Sequence, residues 1–361
     1  MRFPEFSGEW DRYKLEEVAT ISKERIGVDM LSSKNYISTE NMRSNFGGVG
    51  EATNLPASGN VMKFQQGDTL LSNIRPYLKK IWKAEFSGGC SADIFVFRSN
   101  TLCNQDFLYY TLANEKFISY AMSGAKGVKM PRGDKEQMLK YELHLPTTTE
   151  QDKITSLLSL LDERIATQIK IIEDLKKLKS AIRARVFKQL ESNCECWTEI
   201  GNMLQYEQPS KYLVASTEYS DSYATPVLTA NKAFILGYTD EEFGIYSKGE
   251  CVIFDDFTMD VKYVNFPFKV KSSAIKILTS NSGNDLYFVY EHLQNLGLVS
   301  EEHKRHYISE IEPMIVACPT FEEQQNISNL LRSFDRKIEY ANRELTLYNK
   351  QKQYLLSQMF I

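Results

Sequence analysis

At 361 residues, with 42% hydrophobic and 25% charged side chains, the chain has the composition of a folded protein of two ordinary domains, and not of a disordered one. No apolar run reaches membrane-spanning length, and Met1-Arg2-Phe3-Pro4-Glu5-Phe6 lacks the apolar stretch of a signal peptide. A cytoplasmic protein is therefore expected, its six scattered cysteines reduced. The formal charge of −4 is uneven: residues 1–145 carry 19 Lys+Arg against 17 Asp+Glu, whereas 192–318 carry 9 against 18. A segment that acidic supplies little affinity for phosphate unaided.

In chain order, Trp10 opens a first globular segment. Gly67-Asp68 starts a short apolar strand, Thr69-Leu70-Leu71, and Ile94 to Phe97 reads as another. Phe107-Leu108-Tyr109-Tyr110 suggests an aromatic helix. From Pro146 the pattern changes: Thr147 and Glu150 have the spacing of a capping box, and Leu158, Leu161, Ile165, Ile172, Leu175, Ile182 and Val186 follow a coiled-coil seam. About 38 helical residues make a rod of roughly 57 Å. The order then repeats. Trp197 opens a second segment, and Gly249-Glu250 starts Cys251-Val252-Ile253-Phe254. A strand over Lys276 to Leu278 and the aromatic stretch Tyr287-Phe288-Val289-Tyr290 follow. Pro319, Thr320 and Glu323 begin a second long helix, with Leu331, Phe334, Ile338, Ala341, Leu345, Tyr348, Leu355 and Met359 in its seam.

Residues 146–187 align with 319–360 without a gap. Glu150-Gln151 recurs as Glu323-Gln324, Asp162 as Asp335, Lys179 as Lys352 and Phe187 as Phe360. The globular segments echo one another more faintly, at an offset that sets Gly67 against Gly249 and Arg75 against Phe257. Internal repetition decides architecture. The expectation is a mixed α/β chain with a pseudo-twofold repeat: globular domains over 1–145 and 192–318, alternating with long helices over 146–191 and 319–361. The helices pair as an antiparallel coiled coil. Lys179 and Lys352 interrupt the seam at equivalent places, and polar seam residues fix register.

This order of segments resembles the specificity subunit of Type I restriction-modification systems. The resemblance is carried by Phe6-Ser7-Gly8-Glu9-Trp10, the two Pro-Thr-x-x-Glu-Gln helix starts, Gly67 to Tyr77, Ile253 to Thr258, and His303 to Tyr307. It implies a non-catalytic, DNA-binding chain in which each target-recognition domain reads one half of a split sequence in double-stranded DNA. It also implies that the helices set the spacer and dock two methyltransferase subunits, which modify adenine. Restriction/translocase subunits would join that core. No cofactor is expected on this chain; S-adenosylmethionine, ATP and Mg belong to the partners.

Base edges are read chiefly by Arg, Lys, Asn, Gln and carboxylates, while phosphate contacts position the domain. In the first domain the candidates are the turn carrying Asn73, Arg75, Tyr77, Lys79 and Lys80, and the basic loop carrying Lys126, Lys129 and Arg132. In the second they are Asn231, Lys232, Asp255, Asp256, Thr258 and the cluster His303, Lys304, Arg305 and His306. Asp255 and Asp256 have an alternative use in holding their own loop. No metal site is expected, since the two histidines have no cysteine nearby.

Other readings compete. Phe46-Gly47-Gly48-Val49-Gly50 fits the cofactor loop of an adenine-N6 DNA methyltransferase, and Asn73…Pro76-Tyr77 loosely fits its base-holding loop. The glycines, however, sit among Asn, Ser, Arg and Glu, without the apolar strand and helix a cofactor cradle needs. Asp260-Val261-Lys262 lies too close to Asp255 and Asp256 for a nuclease strand pair, and no phosphate-binding loop of the G-x-x-x-x-G-K-[ST] type exists. A coiled-coil adaptor that binds only protein is the third reading. It differs in predicting no bipartite DNA site.

Overall fold

The computed structural model describes residues 2–229, 234–300 and 305–360. The chain divides into two compact units, residues 1–169 with 344–361 and residues 170–343. Each long helix is thus shared: Thr148–Asn193 and Phe321–Met359 both contribute one stretch to each unit. At 46 and 39 residues, both run past the 38 or so that the repeat suggests.

In the first unit a four-stranded antiparallel sheet has the order Ala19–Ile21, Ile94–Ser99, Thr69–Ser72, Ile81–Lys83. Its inner strands are buried on both faces, so apolar residues run continuously instead of alternating with polar ones. Neighbouring residues still face opposite ways. Leu71, Phe97 and Ile81 pack with Phe107 and Leu108 of the helix Gln105–Leu112, whereas Leu70, Val96 and Trp82 pack with Phe64, Cys90 and Ile37. These last three belong to a second sheet, ordered Arg25–Gly27, Asn60–Phe64, Gly88–Cys90, Tyr36–Ile37. The strands Asp11–Lys14 and Glu142–Leu145 pair beside them.

The second unit repeats this plan with different residues. Its four-stranded sheet runs Leu204–Glu207, Ile275–Ser280, Cys251–Asp255, Val261–Val264. Val252, Phe254 and Leu278 face the helix Leu286–Asn295; Cys251, Ile253 and Ile277 face the other core. Gly67 and Gly249, with φ of 93° and 104°, both occupy the left-handed region just before the buried strand. That conformation explains why glycine recurs there.

Within each unit the two long helices lie antiparallel, joined by Asp162–Lys352 and Gln168–Glu344 in the first and by Lys179–Asp335 in the second. Leu158, Leu161, Ile172, Leu331 and Phe334 are buried, and Ile165, Leu175, Ile182, Ile338, Leu345, Tyr348 and Leu355 are half-buried. Gln168 fills the seam position that the apolar pattern skips, and its amide donates to Glu344 at 3.1 Å. The two helix starts differ. In the second copy Glu323 Oε2 accepts from the backbone N–H of Thr320 at 3.0 Å, completing a capping box. In the first copy the Glu150 carboxylate goes to Arg2, which donates Nε and Nη2 at 2.7 Å each. The glutamines act alike: Gln151 and Gln324 each donate to the preceding proline carbonyl at 3.0 Å. Each also accepts from the capping residue of its domain's aromatic helix, Asn104 at 2.7 Å and Asp285 at 2.9 Å.

Candidate nucleic-acid interface

The two basic segments of the first domain, some fifty residues apart in sequence, form one surface. Arg75 N–H donates to the Pro131 carbonyl at 2.7 Å, Gly133 N–H to the Asn73 carbonyl at 3.0 Å, and Asn73 N–H to the Asp93 carbonyl at 2.8 Å. Arg75 and Lys79 flank a single helical turn, Pro76–Leu78, with φ of 51° and 53°. Non-glycine residues in that region carry backbone strain, which persists where surrounding structure holds it and clusters at ligand sites. The surrounding structure here includes the glycine-rich segment. Asn45 and Phe46, themselves at positive φ, donate their N–H groups to the carbonyls of Leu78 and Lys79 at 2.9 and 3.0 Å. The candidate cofactor loop is therefore a brace for the turn.

The cations on this surface are unequally engaged. Lys79 pairs with Glu115, Lys80 Nζ donates to the Thr39 carbonyl at 2.6 Å, and Arg132 lies 3.3 Å from Asp93. Lys126 bonds Asp134 at 2.7 Å, which lowers that carboxyl's pKa and raises the lysine's. Lys129 has no ion pair among the described residues. Tyr77 is exposed. Arg75 is half-buried and its Nε is without a partner, as is the buried Oδ1 of Asn73. Buried polar atoms left unbonded cost free energy, and two of them fall in this one strained turn.

The second domain corrects the reading of its acidic loop. Asp255 and Asp256 are 7% and 2% exposed and do not face solvent. Asp255 Oδ1 accepts from the backbone N–H groups of Phe257 and Thr258, both at 2.9 Å. Asp256 Oδ1 accepts from those of His306 and Tyr307 at 3.0 and 2.8 Å, and its Oδ2 lies 3.6 Å from the buried Lys276 ammonium. Each aspartate holds backbone through its Oδ1. His306 is buried as well, its ring nitrogens facing Ser300 at 3.0 Å and Glu310 at 2.9 Å. Thr258 and Arg305 are exposed; Asn231, Lys232, His303 and Lys304 lie outside the described residues. Among the described residues no cluster of three or more His, Cys, Asp or Glu side chains is placed to hold a metal.

The repeated lysines and aspartates, Lys179 and Lys352 with Asp162 and Asp335, belong to a pair of polar clamps. In the first unit Lys352 Nζ donates to Asp162 Oδ1 at 2.5 Å, and the Tyr110 hydroxyl donates to Oδ2 at 2.8 Å. In the second, Lys179 Nζ donates to Asp335 Oδ1 at 2.6 Å, and the Tyr287 hydroxyl donates to Oδ2. Burial, with the neighbouring carboxylates, pushes both tyrosine hydroxyls well above their usual pKa and keeps them as donors. Each clamp ties the domain's aromatic helix to both long helices. The second is heavier: Lys179 also bonds the fully buried Glu291 at 2.6 Å, and Arg183 approaches that carboxylate at 3.3 Å.

Comparison with known proteins places this arrangement. Residues 7–177 match the family described as the Type I restriction modification DNA specificity domain. The matched stretch covers just under half of the chain. The specificity subunit of the Escherichia coli Type I restriction enzyme EcoR124I/EcoR124II is 42% identical over 176 residues, which span 45% of this chain and 44% of that one. The fold of a specificity subunit extends across the whole chain. The crystal structure of the Type I restriction-modification S subunit from M. genitalium superposes with a TM-score of 0.63 at 14% identity. It covers 100% of this chain and 99% of that one. A chain from a structure of type I R-M complex assembly and conformational transition gives 0.58 at 16% identity, covering 98% and 97%. Among the described residues no helix is long and apolar enough to cross a membrane.

Proposed function

We propose that this chain is the DNA sequence-recognition subunit of a Type I restriction-modification complex. Each globular domain reads one half of a bipartite site. The paired helices set the spacer and dock two methyltransferase subunits, and restriction/translocase subunits join that core in the cytoplasm. The chain contributes recognition and no catalysis; S-adenosylmethionine, ATP and Mg are held by the partners. The observation that carries this reading is the surface of the first domain, where Arg75, Asn73 and the loop bearing Lys129 are bonded into one cationic edge. It lies in the stretch that matches the specificity family.

The acidic second domain adds a condition. Lys269 and Lys276 are buried, so its exposed positive charge is smaller still than its composition suggests. Specific binding accordingly requires the modification subunits, which add the phosphate-contacting charge. The test is selection from a pool of random-sequence duplexes by the full chain purified with those subunits. An asymmetric two-part motif with a fixed spacer is expected, and no enrichment by the chain alone. Absence of any motif refutes the function. Tight specific binding by the chain alone refutes the dependence on partners.

A further inference from the structure

The loop between Lys126 and Arg132 is apolar at its tip although its flanks are cationic. Val128 is fully exposed and Met130 is 49% exposed, while Tyr77 on the neighbouring turn is 46% exposed. Single exposed apolar residues are ordinary on protein surfaces and by themselves mean nothing. These three ride on two turns bonded together through the backbone. Lys126 and Arg132 exchange both N–H···O=C bonds at 2.9 Å, closing the loop, and Arg75 N–H fixes Pro131 from the side. Gly127, at φ 97°, and Pro131 shape the turn between them. The tip holds its form without burying its side chains.

What could cover it is restricted by the surrounding charge. Lys129 is exposed directly beside Val128, Arg132 is exposed two residues beyond Met130, and the half-buried Arg75 is bonded next to Pro131. That combination suits a polyanion carrying apolar groups between its charges. The major groove of DNA offers such groups, the C5-methyls of thymine, beneath two rows of phosphates. Resting on the recognition function proposed above, we infer that Val128, flanked by Met130, packs on a thymine C5-methyl in the major groove of the half-site read by the first domain. Lys129 meets the adjoining phosphate. The valine then discriminates thymine from cytosine, which lacks the methyl group, without a hydrogen bond.

The test uses the full chain with its modification subunits and a duplex bearing the site found by selection. Each thymine of the first half-site is replaced in turn by deoxyuridine, which removes only the methyl. At one thymine the replacement weakens binding by about fourfold, the value of one buried methyl group. In Val128→Ala the thymine duplex binds correspondingly more weakly and the difference between thymine and deoxyuridine disappears. Val128 is fully exposed, so this substitution leaves the fold intact. The inference is overturned if no thymine is sensitive, if sensitivity persists in Val128→Ala, or if the first half-site contains no A·T pair. In each of those outcomes specific binding remains and the recognition function stands. Loss of specific binding by the unaltered complex would instead remove both.

Discussion

In the first domain the connection between Thr69–Ser72 and Ile81–Lys83 spans residues 73–80 and raises Arg75 and Lys79 into left-handed backbone at its rim. In the second domain the corresponding connection, between Cys251–Asp255 and Val261–Val264, spans only 256–260. Its carboxylates are spent on closing the turn and on anchoring the segment at His306 and Tyr307. A short turn must satisfy its own N–H groups, and aspartate does so readily; a longer turn braced from outside can leave side chains free. The same point in a repeated fold therefore presents cations in one domain and hides anions in the other. Equivalent position does not carry equivalent chemistry.

Asp256 gives the largest expected effect. If it is structural, Asp256→Ala leaves the Lys276 ammonium and two backbone N–H groups unpaired in the interior and costs about 3–5 kcal/mol in urea unfolding. Unchanged stability with relaxed base preference would restore the base-reading role. The clamps come next. Lys179→Ala leaves the fully buried Glu291 to Arg183 alone and costs about 2–3 kcal/mol. Lys352→Ala exposes only Asp162, which solvent already reaches, and costs about 1 kcal/mol. Equal losses in thermal denaturation would show that the extra carboxylate does nothing.

Arg75→Ala sharpens the comparison on the DNA side. It should weaken recognition of one half-site by about 1–3 kcal/mol and leave the other untouched in a competition binding assay; equal loss across both halves would contradict the assignment. The smallest effect concerns acid. Burial against Phe187 and Phe288 lowers the pKa of His292 to about 4, below the ordinary value near 6.5. The unfolded chain binds the proton more readily, so this contribution is complete above about pH 6.5 and is lost as pH falls towards 4. At pH 5 His292→Phe should recover about 1–2 kcal/mol relative to its effect at pH 8. An effect independent of pH in parallel unfolding curves would contradict it.

The repeat, the helix starts, the seam and the strands after Gly67 and Gly249 were legible in the sequence because each rests on local periodicity or on a residue with a special backbone requirement. The first-domain surface was half legible. Its two basic segments stand out, but that they meet depends on Arg75–Pro131 and Asn73–Gly133 backbone bonds that no spacing encodes. Glu150 has the spacing of a capping box, yet a distant arginine, Arg2, takes its carboxylate. Asp255 and Asp256 have the right chemistry for cytosine, and only burial shows that it is already used. Tyr110 and Tyr287 were visible as helix residues, while their bonds to Asp162 and Asp335 depend on tertiary packing.

The central claim is that two unlike domains of one chain read two halves of one site. Mapping methylated adenines in the genome of cells that express this chain with modification subunits tests it most directly. The account predicts one asymmetric bipartite motif with a fixed gap, in which Arg75→Ala relaxes bases on one side only. A continuous or palindromic motif, or a methylation pattern unchanged when the chain is deleted, would contradict it.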